Sequence, residues 1–322
     1  MCAAVHDFVN PIAERHGVQL VLAGHEHGYE RTAPLTANRP ADPGRGTVYM
    51  ITGGGGGELH VVNPGGLTET ALQVYHYLRV DAVGGALTLR AIGLDGAEIE
   101  RYVIRPKPVV RERGVMSIGD YGQSIAAGSL ASIFGANLAT ESRSASETPA
   151  PLEMGGTRVK IGGRDVPLLF ASPGQINAQI PYDADPGCLL EIVTPNGSAQ
   201  ATLSLRPTAP SIIAVTYAGN PATPSNAPSA GDAVIVYATG LGPCGQAAVA
   251  DGSGGVTART VTPVAVLLDS MEVQPTFAGM AAGFDGLNQV NFTIPNGMAG
   301  GTHPLRIATP DGSSRIVQLT VR

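Results

Sequence analysis

Gln175-Ile-Asn-Ala-Gln-Ile-Pro181 returns later in the chain as Gln289-Val-Asn-Phe-Thr-Ile-Pro295, and this recurrence decides the fold. Two more strings recur around it in the same order. Ala127-Gly-Ser-Leu-Ala-Ser-Ile-Phe-Gly-Ala-Asn-Leu138 matches Ala230-Gly-Asp-Ala-Val-Ile-Val-Tyr-Ala-Thr-Gly-Leu241, and Thr194-Pro-Asn-Gly-Ser198 matches Thr309-Pro-Asp-Gly-Ser313. The separation widens after the first pair, which places an insertion in the second copy near Gly242 to Ala258. A period this long signals duplication of a whole domain rather than stacked solenoid units.

Each copy reads as a run of short strands. Leu189-Leu-Glu-Ile-Val193 and Pro304-Leu-Arg-Ile-Ala308 lead into the Pro-Asx-Gly turns, and Ala199 to Leu205 and Ser314 to Val321 lead out of them. Strands hinged on such a turn make a β-hairpin. Several of them in ~100 residues fit an antiparallel sandwich. Gln175, Asn177 and Gln289 read as strand determinants within it.

The composition agrees. The chain has 322 residues, with 43 Gly, 25 Pro and no Trp. That much Gly and Pro without a collagen period argues for short elements joined by many turns, and excludes a long helical bundle. A net charge of −6 offers no basic field for a phosphate backbone, so nucleic-acid binding is not expected. No apolar run approaches the ~18 residues of a membrane span. Three cysteines with no Cys-x-x-Cys support neither a disulfide framework nor a zinc knuckle.

Before the repeats the pattern differs. Val5, Phe8, Val9 and Ile12 have helical spacing within Ala3 to Gly17, and Val18 to Ala23 reads as a buried strand. Thr47 to Thr52 is a second strand, ended by Gly53 to Gly57. Leu72 to Val80, Ala86 to Ile92 and Glu98 to Ile104 form a meander, with turns at Gly84-Gly85 and Asp95-Gly96. Arg105 to Gly114, with two prolines and four basic residues, reads as a solvated connector. The division expected is 1–104, a linker at 105–117, and sandwiches at 118–207 and 208–322.

Gly24-His-Glu-His-Gly-Tyr-Glu-Arg-Thr32 follows the first strand at once. In an extended segment or tight loop, His25 and His27 can both face one point at the carboxyl end of a strand, where sheets of α/β proteins place ligands. Imidazole suits Zn, Fe or Mn. The glycine run lacks the Gly-Lys-Ser/Thr of a P-loop, and no Gly-x-Ser-x-Gly is present.

With its preceding strand and following Gly-Thr-Val-Tyr-Met-Ile-Thr and glycine cluster, this string resembles the Gly-His-x-His region of calcineurin-like metallophosphoesterases, most closely purple acid phosphatases. The resemblance implies that His25 and His27 each hold a different ion of an Fe, Zn or Mn pair, acting on a phosphate ester. The family's upstream Asp-x-His, Gly-Asp and Asn-His motifs do not occur, so the true start is expected upstream of Met1. A catalytic zinc-type ion needs at least three protein ligands, and a two-metal site needs carboxylates to hold its ions ~4 Å apart. Two histidines shared between two ions predict weak binding and little turnover, and no catalytic residue is assigned.

Residues 118 to 322 resemble a C-terminal module of bacterial exported proteins built from immunoglobulin-like units akin to IPT/TIG domains. The matching strings are Ser124 to Leu138, Pro173 to Pro181, Tyr237 to Pro243 and Asn288 to Pro295. The fold class expected is mainly β: a truncated α/β metallophosphoesterase remnant followed by two immunoglobulin-like antiparallel sandwiches. The function expected is that of a C-terminal fragment of a secreted phosphoesterase. The alternative is a non-enzymatic adhesion or spacer protein with a cell-surface or glycan partner. Either reading places the parent outside the cell, although Met1 to Asn10 has no signal-peptide character.

Overall fold

Leu190, Ile192 and Thr194 are buried while Leu189, Glu191 and Val193 are more open, the two-residue period of a strand with one face on a core. The same rhythm runs through Ala233–Thr239 and Asn288–Thr293. A computed structural model describes residues 8–16, 18–41, 46–83, 86–245, 258–284 and 286–322. The chain divides into two compact units, Met1–Lys107 and Pro108–Arg322.

In the second unit the strands assemble into two sandwiches. The first has a five-stranded sheet in the order Val109–Ser117, Leu130–Ala136, Gln175–Gln179, Leu168–Ala171, Arg143–Ser144. Its facing sheet runs Glu153–Met154, Thr157–Ile161, Leu189–Thr194, Gly197–Thr202. Ile133, Leu168 and Ile176 from one sheet close on Val159, Ile161, Leu190 and Ile192 from the other, all essentially inaccessible. The second sandwich repeats the plan. Ser211–Tyr217, Ala233–Thr239, Asn288–Thr293 and Phe277–Met280 face a sheet of Met271–Val273, Ala265–Leu268 and Gly301–Thr309, with Val317–Val321 also on Gly301–Thr309. Val234, Val236, Val290 and Phe292 pack on Val266, Leu268, Leu305, Ile307 and Leu319.

Both Pro-Asx-Gly turns are two-residue hairpins, closed by the pairs Thr194↔Gly197 and Thr309↔Gly312. In each, the Thr hydroxyl donates to the Gly carbonyl at 3.1 Å. The glycines have φ of 125° and 156°, where a side chain would strain the backbone. Val109–Ser117 is extended, as expected of the connector, but it is an edge strand on Leu130–Ala136 rather than free chain. The insertion expected near 242–258 lies mostly outside the described residues.

The first unit is also mainly β. Its mixed sheet has the order Leu20–Ala23, Val48–Thr52, Tyr29–Thr32, Thr68–Leu72, the first pair parallel and the others antiparallel. His76–Val83, Ala86–Gly93 and Glu98–Ile104 form an antiparallel meander. Val48 and Met50 pack on Leu89, while Tyr49 points the other way onto Ala33 and Leu35.

The expected α/β remnant is corrected here. Among the described residues of this unit the α-helix is Asn10–Arg15, six residues. Phe8, Val9 and Ile12 are 70%, 43% and 57% exposed, so these three cover no core; Val5 lies outside the described residues. Leu20–Ala23 is half open rather than buried. The first strand of the meander begins at His76, after a separate strand at Thr68–Leu72. The Asp95-Gly96 turn forms as expected, with Gly96 at φ 79°; Gly17 and the Gly84-Gly85 turn lie outside the described residues.

Candidate functional sites

The Gly24 to Gly28 loop leaves its strand with His25 at φ 78°, an uncommon left-handed conformation for a residue with a side chain. The glycine run is the surface on which this loop sits. A Cβ on Gly53 would stand 2.2 Å from the Glu26 carbonyl oxygen, one on Gly57 2.2 Å from the His27 ring, and one on Gly54 2.4 Å from the His76 ring. Close backbone approach therefore explains these glycines.

His27 donates from Nδ1 to the Glu58 carbonyl at 2.7 Å. Its ring stacks on His60, with centroids 4.4 Å apart and planes 18° from parallel. His60 Nδ1 in turn meets Glu26 Oε2 at 3.1 Å. Glu26, His27 and His60 line one side of a cleft of about 680 Å³, with Val21, Tyr49 and Ile51 as its apolar wall. His25 is solvent-exposed at the rim.

This geometry does not fit a metal centre. Among the described residues no group of three or more His, Cys, Asp or Glu side chains is placed to hold an ion. His27 spends one nitrogen on a carbonyl, and His60 and Glu26 pair with each other. The ligand number of a catalytic site is not reached.

Tyr29 and Arg31, part of the string that suggested a phosphatase, are structural. Glu100 accepts from Tyr29 Oη at 2.5 Å, Thr70 Oγ1 at 2.6 Å and Arg31 Nη2 at 2.8 Å. Arg31 also pairs with Glu69, and its guanidinium lies 4.3 Å from the Tyr102 ring centroid. Burial pushes the Glu100 pKa up, but the hydrogen bonds from Arg31, Thr70 and Tyr29 outweigh it and hold the carboxyl below its ordinary value. Burial and then Glu100 raise the Tyr29 phenol. Sequence reading missed Glu58, His60 and Glu100 because each meets its partner from a different strand or loop.

In the second unit, Gln175 Nε2 donates to Asn177 Oδ1 at 2.8 Å, and Gln289 Nε2 donates to Asn291 Oδ1 at 2.8 Å. Both pairs lie on the outer face of their sheet, since Ile176, Ala178, Val290 and Phe292 between them face the cores. The strand role read from the sequence is thus a hydrogen-bonded pair repeated in each sandwich. Asn291 is half-buried and bonded in this way.

The two sandwiches meet through polar contacts. Thr239 Oγ1 accepts from the Leu130 amide at 2.8 Å and donates to the Gly286 carbonyl at 2.7 Å. The Tyr182 hydroxyl accepts from the Gly286 amide at 3.2 Å. A cleft of about 240 Å³ between them is lined by Asp120, Arg206, Thr208, Asp311 and Arg315.

No protein family and no curated protein matches the chain. Among solved structures, similarity extends to the Bacteroides ovatus SGBP-B of a mixed-linkage glucan utilization locus, in complex with a mixed-linkage heptasaccharide. That match has 11% identity and a TM-score of 0.30, and covers 74% of this chain and 52% of that one. The SGBP-B of a xyloglucan utilization locus in Bacteroides uniformis has 16% identity and a TM-score of 0.22, over 67% and 49%. The I9-I11 tandem from titin has 11% identity and a TM-score of 0.20, over 94% and 96%. The chain thus spans about half the length of the first two.

These findings correct the phosphoesterase resemblance. No family model supports it, and among the described residues no group of three or more His, Cys, Asp or Glu side chains gathers around His25 and His27. The labels hydrolase and metallophosphoesterase are therefore without support, whereas the β-sandwich description fits.

Proposed function

We propose that the chain is a non-enzymatic adhesion or spacer protein of the cell surface, built on tandem immunoglobulin-like sandwiches and partnered by glycans. The observation that carries this reading is the way the sandwiches are joined. Thr239 ties the Leu130 amide of one to the Gly286 carbonyl of the other within one compact unit. Two duplicated sandwiches tied to each other within one unit suit holding a binding surface away from its point of attachment. Low charge and abundant small residues suit an exposed protein. Among the described residues no helix is long and apolar enough to cross a membrane.

The test is retention of the full chain on purified bacterial cell-wall and capsular material, compared with an unrelated protein of similar charge. Saturable retention that soluble glycan competes away is the expected result. No retention above the control on any surface overturns the reading.

A further inference from the structure

We propose that the outer face of the Gln-x-Asn sheet in each sandwich is a binding platform for a neutral polysaccharide; this deepens the adhesion reading above and rests on it. Four aromatic positions carry the argument. In the first sandwich Phe134 stands opposite Gln175 on one neighbouring strand, and Phe170 stands opposite Asn177 on the other. In the second, Tyr237 stands opposite Gln289 and Phe277 opposite Asn291. Each amide pair is therefore flanked diagonally by two rings, and the arrangement occurs twice.

None of these rings belongs to a core. Both cores are filled by aliphatic residues and, in the second, Phe292. Phe134, Phe170, Tyr237 and Phe277 are all half-buried on the outer face. Burying a phenylalanine is worth roughly 2–3 kcal/mol, so holding the same positions outside both cores forgoes stability at matched places. Scattered exposed apolar residues need no explanation, but a matched pattern of them does.

The amides supply the complementary polar chemistry. Asn177 Oδ1 accepts from Gln175 Nε2 and from Ser132 Oγ, and among the described residues no hydrogen bond occupies Asn177 Nδ2 or Gln175 Oε1. Asn291 Nδ2 and Gln289 Oε1 stand likewise beside their own hydrogen bond. A fixed donor next to a fixed acceptor matches two adjacent hydroxyls of a sugar ring. Flat apolar rings match the C–H faces of such a sugar. Strand spacing and rise place the two rings of a sandwich roughly 10–12 Å apart, the span of two or three sugar units. The register positions themselves carry amides, hydroxyls and rings rather than charges, which fits a neutral polymer; charges stand at the margins, with the Arg259 guanidinium 5.2 Å from the Phe277 centroid and exposed Arg111, Glu112 and Arg113 in the edge-strand bulge beside Phe134.

The test uses the full chain in native affinity gels containing hydroxyethylcellulose, xyloglucan, xylan or galactomannan, with alginate as the anionic control. Retardation is expected in at least one neutral gel. Phe134→Ala with Phe170→Ala should weaken it roughly tenfold, and adding Tyr237→Ala and Phe277→Ala should abolish it. Unchanged thermal unfolding of the fourfold variant shows that the rings act at the surface; if it unfolds early, Asn177→Ala and Asn291→Ala replace it. Wild-type retardation in these variants overturns the platform but leaves glycan adhesion standing. Retardation by alginate alone, or in no gel, overturns the neutral-polymer assignment. Dimerisation lost in the fourfold variant without any glycan binding assigns the face to a second copy and likewise overturns it.

Discussion

The two units are held together by different chemistry. In Pro108–Arg322 each sandwich has a continuous aliphatic core reaching through both sheets, and its polar groups are at turns, outer faces and the junction. Among the described residues of Met1–Lys107 the buried apolar clusters are small, Ala33-Leu35-Tyr49 and Val48-Met50-Leu89, with Ala13, Tyr29 and Ala91 buried apart from them. Beside them stands a charged network in which Arg31 and Glu100 are 8% and 16% exposed at the side chain. Apolar burial tolerates pH and salt and fails when volume is removed. A buried ion pair fails when either partner is lost or neutralised. The units should therefore break under different insults.

The largest effect is expected from truncating a sandwich core. Ile192 and Phe292 are fully buried, and Ile192→Ala or Phe292→Ala should cost about 3–5 kcal/mol. Calorimetry should show the transition of the second unit falling while that of the first stays in place. A shift of both transitions together would show that the two units do not unfold independently.

Next comes the network. Arg31→Met leaves Glu100 with only Tyr29 and Thr70 as partners, at a cost of about 3 kcal/mol, confined to the first unit. The network also predicts acid sensitivity. The folded Glu100 pKa is depressed, so its contribution is present above the unfolded carboxylate value and is lost as pH falls through the lower folded one. Circular dichroism melts between neutral and strongly acidic pH should show the first unit losing stability on acidification, and Glu100→Gln should flatten that dependence. A first unit as acid-resistant as the sandwiches would break the comparison.

A smaller effect is expected at the junction. Thr239→Val removes the partner of a buried amide and a carbonyl, at about 2 kcal/mol. The two sandwiches should then separate into resolvable unfolding steps. A single unshifted transition would show that the Thr239 bonds do not join them.

What could be read in advance follows the same divide. The hairpins at Thr194 and Thr309 were legible because hydroxyl, turn and glycine are adjacent in sequence, and the strands because alternation is local. The outer-face pattern was half legible: the Gln-x-Asn string repeats openly, but its flanking rings come from strands that only the sheet order brings beside it. The His25-Glu-His27 string suggested a family that no family model supports, because so short a motif does not specify the fold around it. Its neighbours Tyr29 and Arg31 turned out to serve Glu100, a residue far along the chain whose approach no local pattern records.

The smallest prediction has the opposite sign from that of Glu100 and so sharpens the contrast. In the second sandwich, His303 Nδ1 meets Asp269 Oδ2 at 2.6 Å, and Nε2 meets the Ala299 carbonyl at 3.0 Å. The Asp269 hydrogen bond raises the imidazole pKa against a weaker lowering by burial. A raised folded pKa means stabilisation that is complete below the unfolded value of about 6.5 and lost as pH rises through the folded one. Asp269 is 39% exposed at its side chain, so solvent screens the pair and its contribution is about 0.5 kcal/mol. The second unit should then melt one or two degrees lower at mildly alkaline than at mildly acidic pH, while the first unit gains nothing over that interval. Asp269→Asn should remove the slope by lowering the acidic-pH melt to meet the alkaline one. If the slope survives that change, the proton responsible is not on His303, and the small pH response of the sandwiches belongs to another group.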